Sequence, residues 1–200
     1  MRIIVGVTGA SGSVLAAEAL HQLGQAGVET HLVVSRSAAV TMEHELGPDA
    51  LELMRMSASC THDVADIAAP IASGSFQVDG MLVAPCSMRT LSAIAHGLGD
   101  NLLTRAADVT LKERRKLVLL PREAPLHEIH LASMLRLARM NAVIAPPVPP
   151  FYARLESLDD VVREIVARAL TWLGVDPGSR MTRWNGMKDA LTSPARRQDA

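Results

Sequence analysis

Arg2-Ile3-Ile4-Val5-Gly6-Val7-Thr8-Gly9-Ala10-Ser11-Gly12 (RIIVGVTGASG, residues 2–12) is a short β-branched apolar run that passes directly into a turn of glycine and hydroxyl residues. A continuous apolar run of this length reads as a strand buried on both faces, which is the habit of a parallel sheet. The turn then delivers the chain into a helix that should begin near Ser13. Leu15, Ala16, Ala19, Leu20 and Leu23 recur at helical spacing, and Gly24 and Gly27 supply its stop signals.

Outward from this β-turn-α unit the pattern repeats. THLVV (30–34) reads as a second strand, and Ser35 precedes a helix expected over Ala38–Leu46. MLVA (81–84), LVLL (117–120) and AVIA (142–145) are further strands, separated by stretches of helical periodicity. Strands alternating with helices predict a parallel sheet covered by helices on both faces. Gly47–Gln77 is the least regular segment and is expected to be loop-rich, with one or two short helices. PPVPP (146–150) is a stiff connector to a helix over 157–173 with Ser157 as its N-cap. Residues 1–184 form one domain in this reading, and 185–200, where periodicity ends, form a mobile tail.

Two hundred residues suit a single domain with a substantial core. Twenty Lys and Arg against 21 Asp and Glu give no strong field, which disfavours nucleic acid as a partner. No apolar run approaches the roughly 18 residues that span a bilayer, and the N-terminus lacks the layout of a secretory signal, so a cytoplasmic location is expected. Cys60 and Cys86 cannot build a disulfide framework. The seven histidines and two cysteines show no zinc-type spacing along the chain, so no metal is expected. Five aromatic residues are too few to stack single-stranded nucleic acid or to sandwich a flavin within one subunit.

In open parallel sheets, ligands bind beyond the carboxyl ends of the strands. The residues there are Thr8 to Gly12, Ser35-Arg36-Ser37, Pro85-Cys86-Ser87-Met88-Arg89-Thr90, Pro121-Arg122-Glu123 and Pro146-Pro147. Hydroxyls, glycines and arginines beside helix N-termini favour a phosphorylated ligand. Gly9-Ala10-Ser11-Gly12 is neither Gly-x-Gly-x-x-Gly nor the Gly-Lys-Ser/Thr loop of nucleoside triphosphatases, and a ligand-free tight turn is the plain alternative.

From GVTGASG through APIASGSF, APCSMRTLSAIAHG, DNLLTRAADVTLKERRKLVLLPREAPLHEIHL and PPFY to the closing RW, the chain resembles the flavin prenyltransferases, which accompany decarboxylases of aromatic and other unsaturated acids. The resemblance implies a flavodoxin-like three-layer α/β/α sandwich, a dodecamer, and reduced FMN held between subunits. It also implies transfer of a dimethylallyl group from dimethylallyl phosphate to N5 and C6 of the flavin, for use by a partner decarboxylase. Carried over by motif, Gly9, Ala10, Ser11, Ser35, Ser87, Met88, Arg89, Thr90 and Arg122 contact FMN. Lys112, Tyr152 and Arg168 grip the dimethylallyl phosphate, Arg105 shares the helix face of Lys112, and Trp184 lies near the prenyl site. Glu45 and Glu123 are the acid–base carboxylates, with Glu43 competing for the first role, and Ser11 assists departure of the phosphate. Ser73 and Ser75 shape a turn near the flavin ring.

Without the family, several of these residues have plainer readings. Lys112 lies in a charge run at a helix end, where solvated cations are common. Arg105 and Asp108 could pair structurally, Arg168 could face solvent, Trp184 could anchor a tail, and either glutamate could be a solvated position. Leu158-Asp159-Asp160-Val161-Val162-Arg163 lacks the final aspartate of the Mg²⁺-binding prenyltransferase motif, which suits a metal-independent monophosphate donor. Two rivals remain: a flavin-dependent cysteine decarboxylase, weakened by Pro85-Cys86-Ser87-Met88-Arg89-Thr90 standing where those enzymes carry Pro-Ala-Ser-Ala-Asn-Thr, and a non-catalytic FMN-binding subunit of a decarboxylase complex.

Overall fold

The computed structural model describes residues 1–176 and 178–186. Six strands form one wholly parallel sheet: β1 (Arg2–Val7), β2 (Glu29–Val34), β3 (Cys60–His62), β4 (Gly80–Cys86), β5 (Lys116–Pro121) and β6 (Val143–Ile144). Their order is β3-β2-β1-β4-β5-β6. The chain therefore builds outward on one side of β1 and then crosses to the other, leaving a topological switch between β1 and β4. The helices are α1 (Val14–Gln25), α2 (Arg36–Leu46), α3 (Ala50–Ser57), α4 (Met88–Ala95), α5 (Leu102–Lys112), α6 (Glu128–Arg139) and α7 (Leu158–Trp172). This is the expected flavodoxin-like three-layer α/β/α sandwich.

The alternation of side chains along each strand divides the core into two layers. Ile3, Val5, Val7 and Leu32 face α1, α2 and α7, meeting Leu20, Leu23, Met42, Val166 and Leu170. Ile4, Val33, Met81, Val83, Leu117 and Leu119 face the other way, against Leu91, Leu102, Leu103 and Leu137. Because every strand but the edges is covered twice, continuous apolar runs were a sound strand signal. Each fully buried Leu or Ile here contributes about 2 kcal/mol relative to exposure.

Two elements differ from the sequence expectation. The second helix starts at Arg36, two residues early, because Ser35 is itself the N-cap and its hydroxyl accepts the Ala38 N–H at 3.1 Å. The Gly47–Gln77 segment holds the expected short helix, α3, and a 3-10 turn at Pro70–Ala72, but also the unexpected edge strand β3. Cys-Thr-His carries no apolar run, and its strand is made by backbone pairing with His31 to Val33 alone. That pairing also brings His31, Cys60 and His62, scattered in sequence, to within 4.8 Å of one another at their ligating atoms. Helix α7 opens with the predicted cap, in which Ser157 accepts the Asp160 N–H while Asp160 accepts the Ser157 N–H, both at 3.1 Å. Of the expected tail, residues 187–200 lie outside the described residues.

Candidate active site

The switch between β1 and β4 is bridged by Thr8, buried just beyond β1. Its hydroxyl donates to the Pro85 carbonyl oxygen at 2.7 Å and accepts the Ser87 N–H at 2.7 Å. On either side, Ser35 and Ser87 cap α2 and α4, Ser87 accepting the Thr90 N–H at 3.3 Å. Both helix N-termini open on a cavity of about 510 Å³ whose polar lining is Ser35, Arg36, Ser37, Ser87, Arg89, Thr90, Asp100 and Asn101, with Arg89 paired to Asp100. Free N–H groups at helix N-termini, four hydroxyls and an arginine form a donor set suited to a phosphate monoester. The end of β2 carries Ser35-Arg36 where a dinucleotide site would place an acid to hold a ribose. This donor set fits the phosphate of FMN.

Glu45 closes the β1–α1 turn. Ala38 and Met42 bury the inner face of α2, and Glu45 follows on that face, turned toward the turn. Its Oε1 and Oε2 each accept the Gly12 N–H at 3.1 Å, and Oε2 accepts the Ser13 N–H at 2.8 Å. Burial raises the carboxyl pKa, but the Ser11 hydroxyl and the N–H groups of Ser13 and Gly12 outweigh it and hold the group below its ordinary value. Gly12 sits at φ +111°, and a Cβ on Gly9 would stand 2.5 Å from the Ser37 hydroxyl, so glycine is required at both places. Glu43, the competing carboxylate, is exposed to solvent.

A second cavity, about 580 Å³, gathers Tyr152, Arg168 and Trp184. Arg168 projects from α7 with its guanidinium carbon 5.1 Å from the centre of the Trp172 ring. The Tyr152 and Trp184 rings meet edge to face at 5.6 Å. Glu164, one turn before Arg168 and nearly fully buried, accepts the Thr182 N–H at 2.7 Å and its hydroxyl at 3.3 Å. The residues following α7 are thereby tied back over the helix that carries Arg168. Glu164, Arg168 and Trp172 share one stripe of α7, and a charged pair four apart within an apolar helix was the signal in sequence that could have found Glu164.

Other candidates stand apart. Lys112 ends α5 beside the start of β5, at the opposite edge of the sheet from the strand ends, and pairs with Glu113. Arg105 binds Asp108 at 2.9 Å and donates to the Ala72 carbonyl at 3.2 Å. Ser73 and Ser75 join hydroxyls at 2.9 Å, flanking Gly74, where an added Cβ would meet the Lys112 ammonium. Arg122 and Glu123 are exposed beyond β5, where the Glu123 carboxylate accepts the Ala124 N–H at 3.0 Å. Met88 is buried in the core layer beneath α4. Asn101 and Glu164 are site residues that the sequence reading missed, and Thr8, named there among the strand-end residues, was given no role of its own.

The flavoprotein family matches residues 1–170. The flavin prenyltransferase UbiX of Neisseria meningitidis is 50% identical over 189 residues, covering 94% of this chain and 98% of that one. A crystal structure of AnUbiX (PadA1) in complex with FMN and dimethylallyl pyrophosphate superposes with a TM-score of 0.90 at 48% identity, covering 92% and 97% of the two chains. A dodecameric FMN-dependent UbiX-like decarboxylase from Escherichia coli O157:H7 gives 0.88 at 48% identity, covering 93% and 100%. FMN-dependent cysteine decarboxylases share the fold alone, at 18% and 19% identity. With half of its residues shared along nearly its whole length, the chain belongs to the UbiX-type flavin prenyltransferases.

Proposed function

We propose that this protein joins a dimethylallyl group from dimethylallyl phosphate to N5 and C6 of reduced FMN, making prenylated FMN for a partner decarboxylase. The observation that carries the reading is that Arg168, Tyr152 and Trp184 line one cavity, separate from the helix N-termini that suit the flavin phosphate. A flavin carrier has no use for a second anion site. Reduced flavin, when bound, supplies the electron-rich atoms that take the prenyl carbon.

The chain's own residues divide the remaining work. Ser35, Ser37, Ser87, Arg89 and Thr90 hold the flavin phosphate, with Gly9, Ala10, Ser11 and the backbone of Met88 along the ring side. Glu45, ionised and engaged by the β1–α1 turn, fixes Ser11 in place. Arg168 and Tyr152 stabilise the phosphate that departs with the electron pair of the broken carbon–oxygen bond, an effect worth several kcal/mol in a site closed to water. Trp184 and Trp172 exclude water, and their rings favour positive charge developing on the allyl group. Arg122 and Glu123, exposed beyond β5, would face the bound flavin, where the Glu123 carboxylate would take up a proton and pass it to the departing phosphate.

Lys112 enters this site from a neighbouring copy, since one chain holds it at the last turn of α5, away from the carboxyl ends of the strands, and Arg105, paired with Asp108 on the same helix, comes with it. Exposed apolar residues support assembly: Phe151 is 85% exposed and Ile129, on α6, 65%. We propose a homododecamer, as in the E. coli relative. Among the described residues no helix is long and apolar enough to cross a membrane. We place the enzyme in the cytoplasm, with residues 1–184 as its single flavoprotein domain. The deciding experiment is anaerobic incubation with reduced FMN and dimethylallyl phosphate, followed by mass spectrometry of the released flavin. A flavin heavier by one five-carbon unit is expected, and recovery of unmodified FMN would overturn the reading.

A further inference from the structure

At the outer edge of the sheet, strands β2 and β3 gather three side chains for which the prenyl-transfer chemistry has no use. The register sets His31 opposite Cys60 and Val33 opposite His62. Alternation along the strands then projects His31, Cys60 and His62 from one face. His31 Nδ1 lies 2.8 Å from His62 Nε2, and Cys60 Sγ lies 3.6 Å from the same His62 nitrogen. We propose that these three residues bind a transition-metal ion, with zinc the best match, leaving its fourth position to water.

Bond lengths of about 2.0–2.1 Å to nitrogen and about 2.3 Å to sulfur, at tetrahedral angles, require an N···S edge of about 3.6 Å and an N···N edge of about 3.4 Å. The sulfur already stands at that distance from His62 Nε2 and within 4.8 Å of His31, and the two imidazole nitrogens would part by about 0.6 Å to admit the ion. Two imidazoles and a thiolate select zinc or its chemical neighbours over magnesium or calcium, which take oxygen ligands.

The surroundings of His31 have the arrangement that supports a metal-bound imidazole. Its Nε2 faces Glu29 Oε1 at 3.0 Å, and the same carboxylate oxygen accepts from Arg2 Nε at 2.9 Å. An ionised carboxylate only accepts, so Nε2 carries the ring proton and Nδ1 presents a lone pair toward Cys60 and His62. The Phe76 ring packs edge-on against His31 at 5.3 Å, fixing the imidazole plane. On binding, the Cys60 thiol releases its proton to solvent, the Nε2 proton of His62 gives way to the Nδ1 tautomer, and both ring nitrogens become donors to the metal. The ion would tie the edge strand β3 to β2.

The test uses the full-length protein and Co²⁺ as a spectroscopic stand-in for zinc. One equivalent of Co²⁺ per chain should bind, give a thiolate-to-cobalt charge-transfer band in the near ultraviolet, and be displaced by Zn²⁺. Cys60→Ser should abolish the band, and His62→Ala should weaken binding at least tenfold. Glu29→Gln should weaken binding about tenfold while keeping the band, as expected of a residue that orients a ligand. Cys60 and His62 are not core residues, so both variants should remain folded and prenylate FMN at the parent rate. Absence of the band in the parent protein, its persistence in Cys60→Ser, or parental affinity in His62→Ala would each overturn the proposal.

Discussion

Glu164 receives both the backbone N–H and the hydroxyl of Thr182, so a buried carboxylate on α7 holds the segment that carries Trp184 against the helix that carries Arg168. Glu164→Ala should raise the KM for dimethylallyl phosphate at least tenfold, while FMN affinity stays within twofold. Steady-state kinetics with each substrate varied separately will show it. An equal loss for both substrates would mean that Glu164 supports the whole fold.

Thr8 occupies the switch between β1 and β4 and links Pro85 to Ser87. Thr8→Val keeps the shape but strands the buried Pro85 carbonyl and the half-buried Ser87 N–H, at a cost of about 1–3 kcal/mol. Thermal unfolding should report that loss, and FMN binding should weaken with it because Ser87 caps the helix facing the phosphate.

The lowered pKa of Glu45 sets a direction for pH dependence. A carboxylate whose folded pKa is depressed contributes stability that is complete above its unfolded value, near 4.5, and is lost as pH falls through the folded value. Denaturant unfolding from pH 7 downward should show the parent protein losing stability below about pH 4.5, and Glu45→Gln should remove that part of the slope. A variant with the parent's acid slope would place the titration elsewhere.

Lys112→Ala and Arg168→Ala should each leave FMN binding nearly intact and abolish prenyl transfer. Since the two cations come from different copies in our reading, dissociating and reassembling a mixture of the variants should restore activity, because some sites then receive both native residues. A mixture as inactive as its parts would place both residues in one chain's site.

Glu123→Gln, which keeps size but cannot exchange a proton, should lower the prenylation rate about a hundredfold, the scale of general acid–base catalysis, without weakening FMN binding. Single-turnover measurement separates the two effects. A parental rate would reduce Glu123 to a partner of its own loop.

The central strands and the first turn were legible because burial on both faces writes itself as unbroken apolar runs, as in Ile3 to Val5 and Leu117 to Leu120. Strand β3 was not, since an edge strand needs only backbone pairing and Cys-Thr-His has no apolar signature. Glu45 over Glu43 could be resolved only once Ala38 and Met42 fixed which face of α2 points inward. The separation of Lys112 from Arg168 was hidden for a different reason: local sequence places a residue on a helix but does not say which end of the sheet that helix end reaches.

The two margins of the sheet carry one more consequence. β3 has three residues and β6 has two, and a parallel array ended by such stubs offers an incoming strand almost no ladder to copy. Growth by strand addition, the route by which β-rich chains run on into fibres, is blocked at both ends. Copies of this chain must therefore meet through helices and loops, whose curved and irregular surfaces permit closed shells of subunits and resist open-ended stacking.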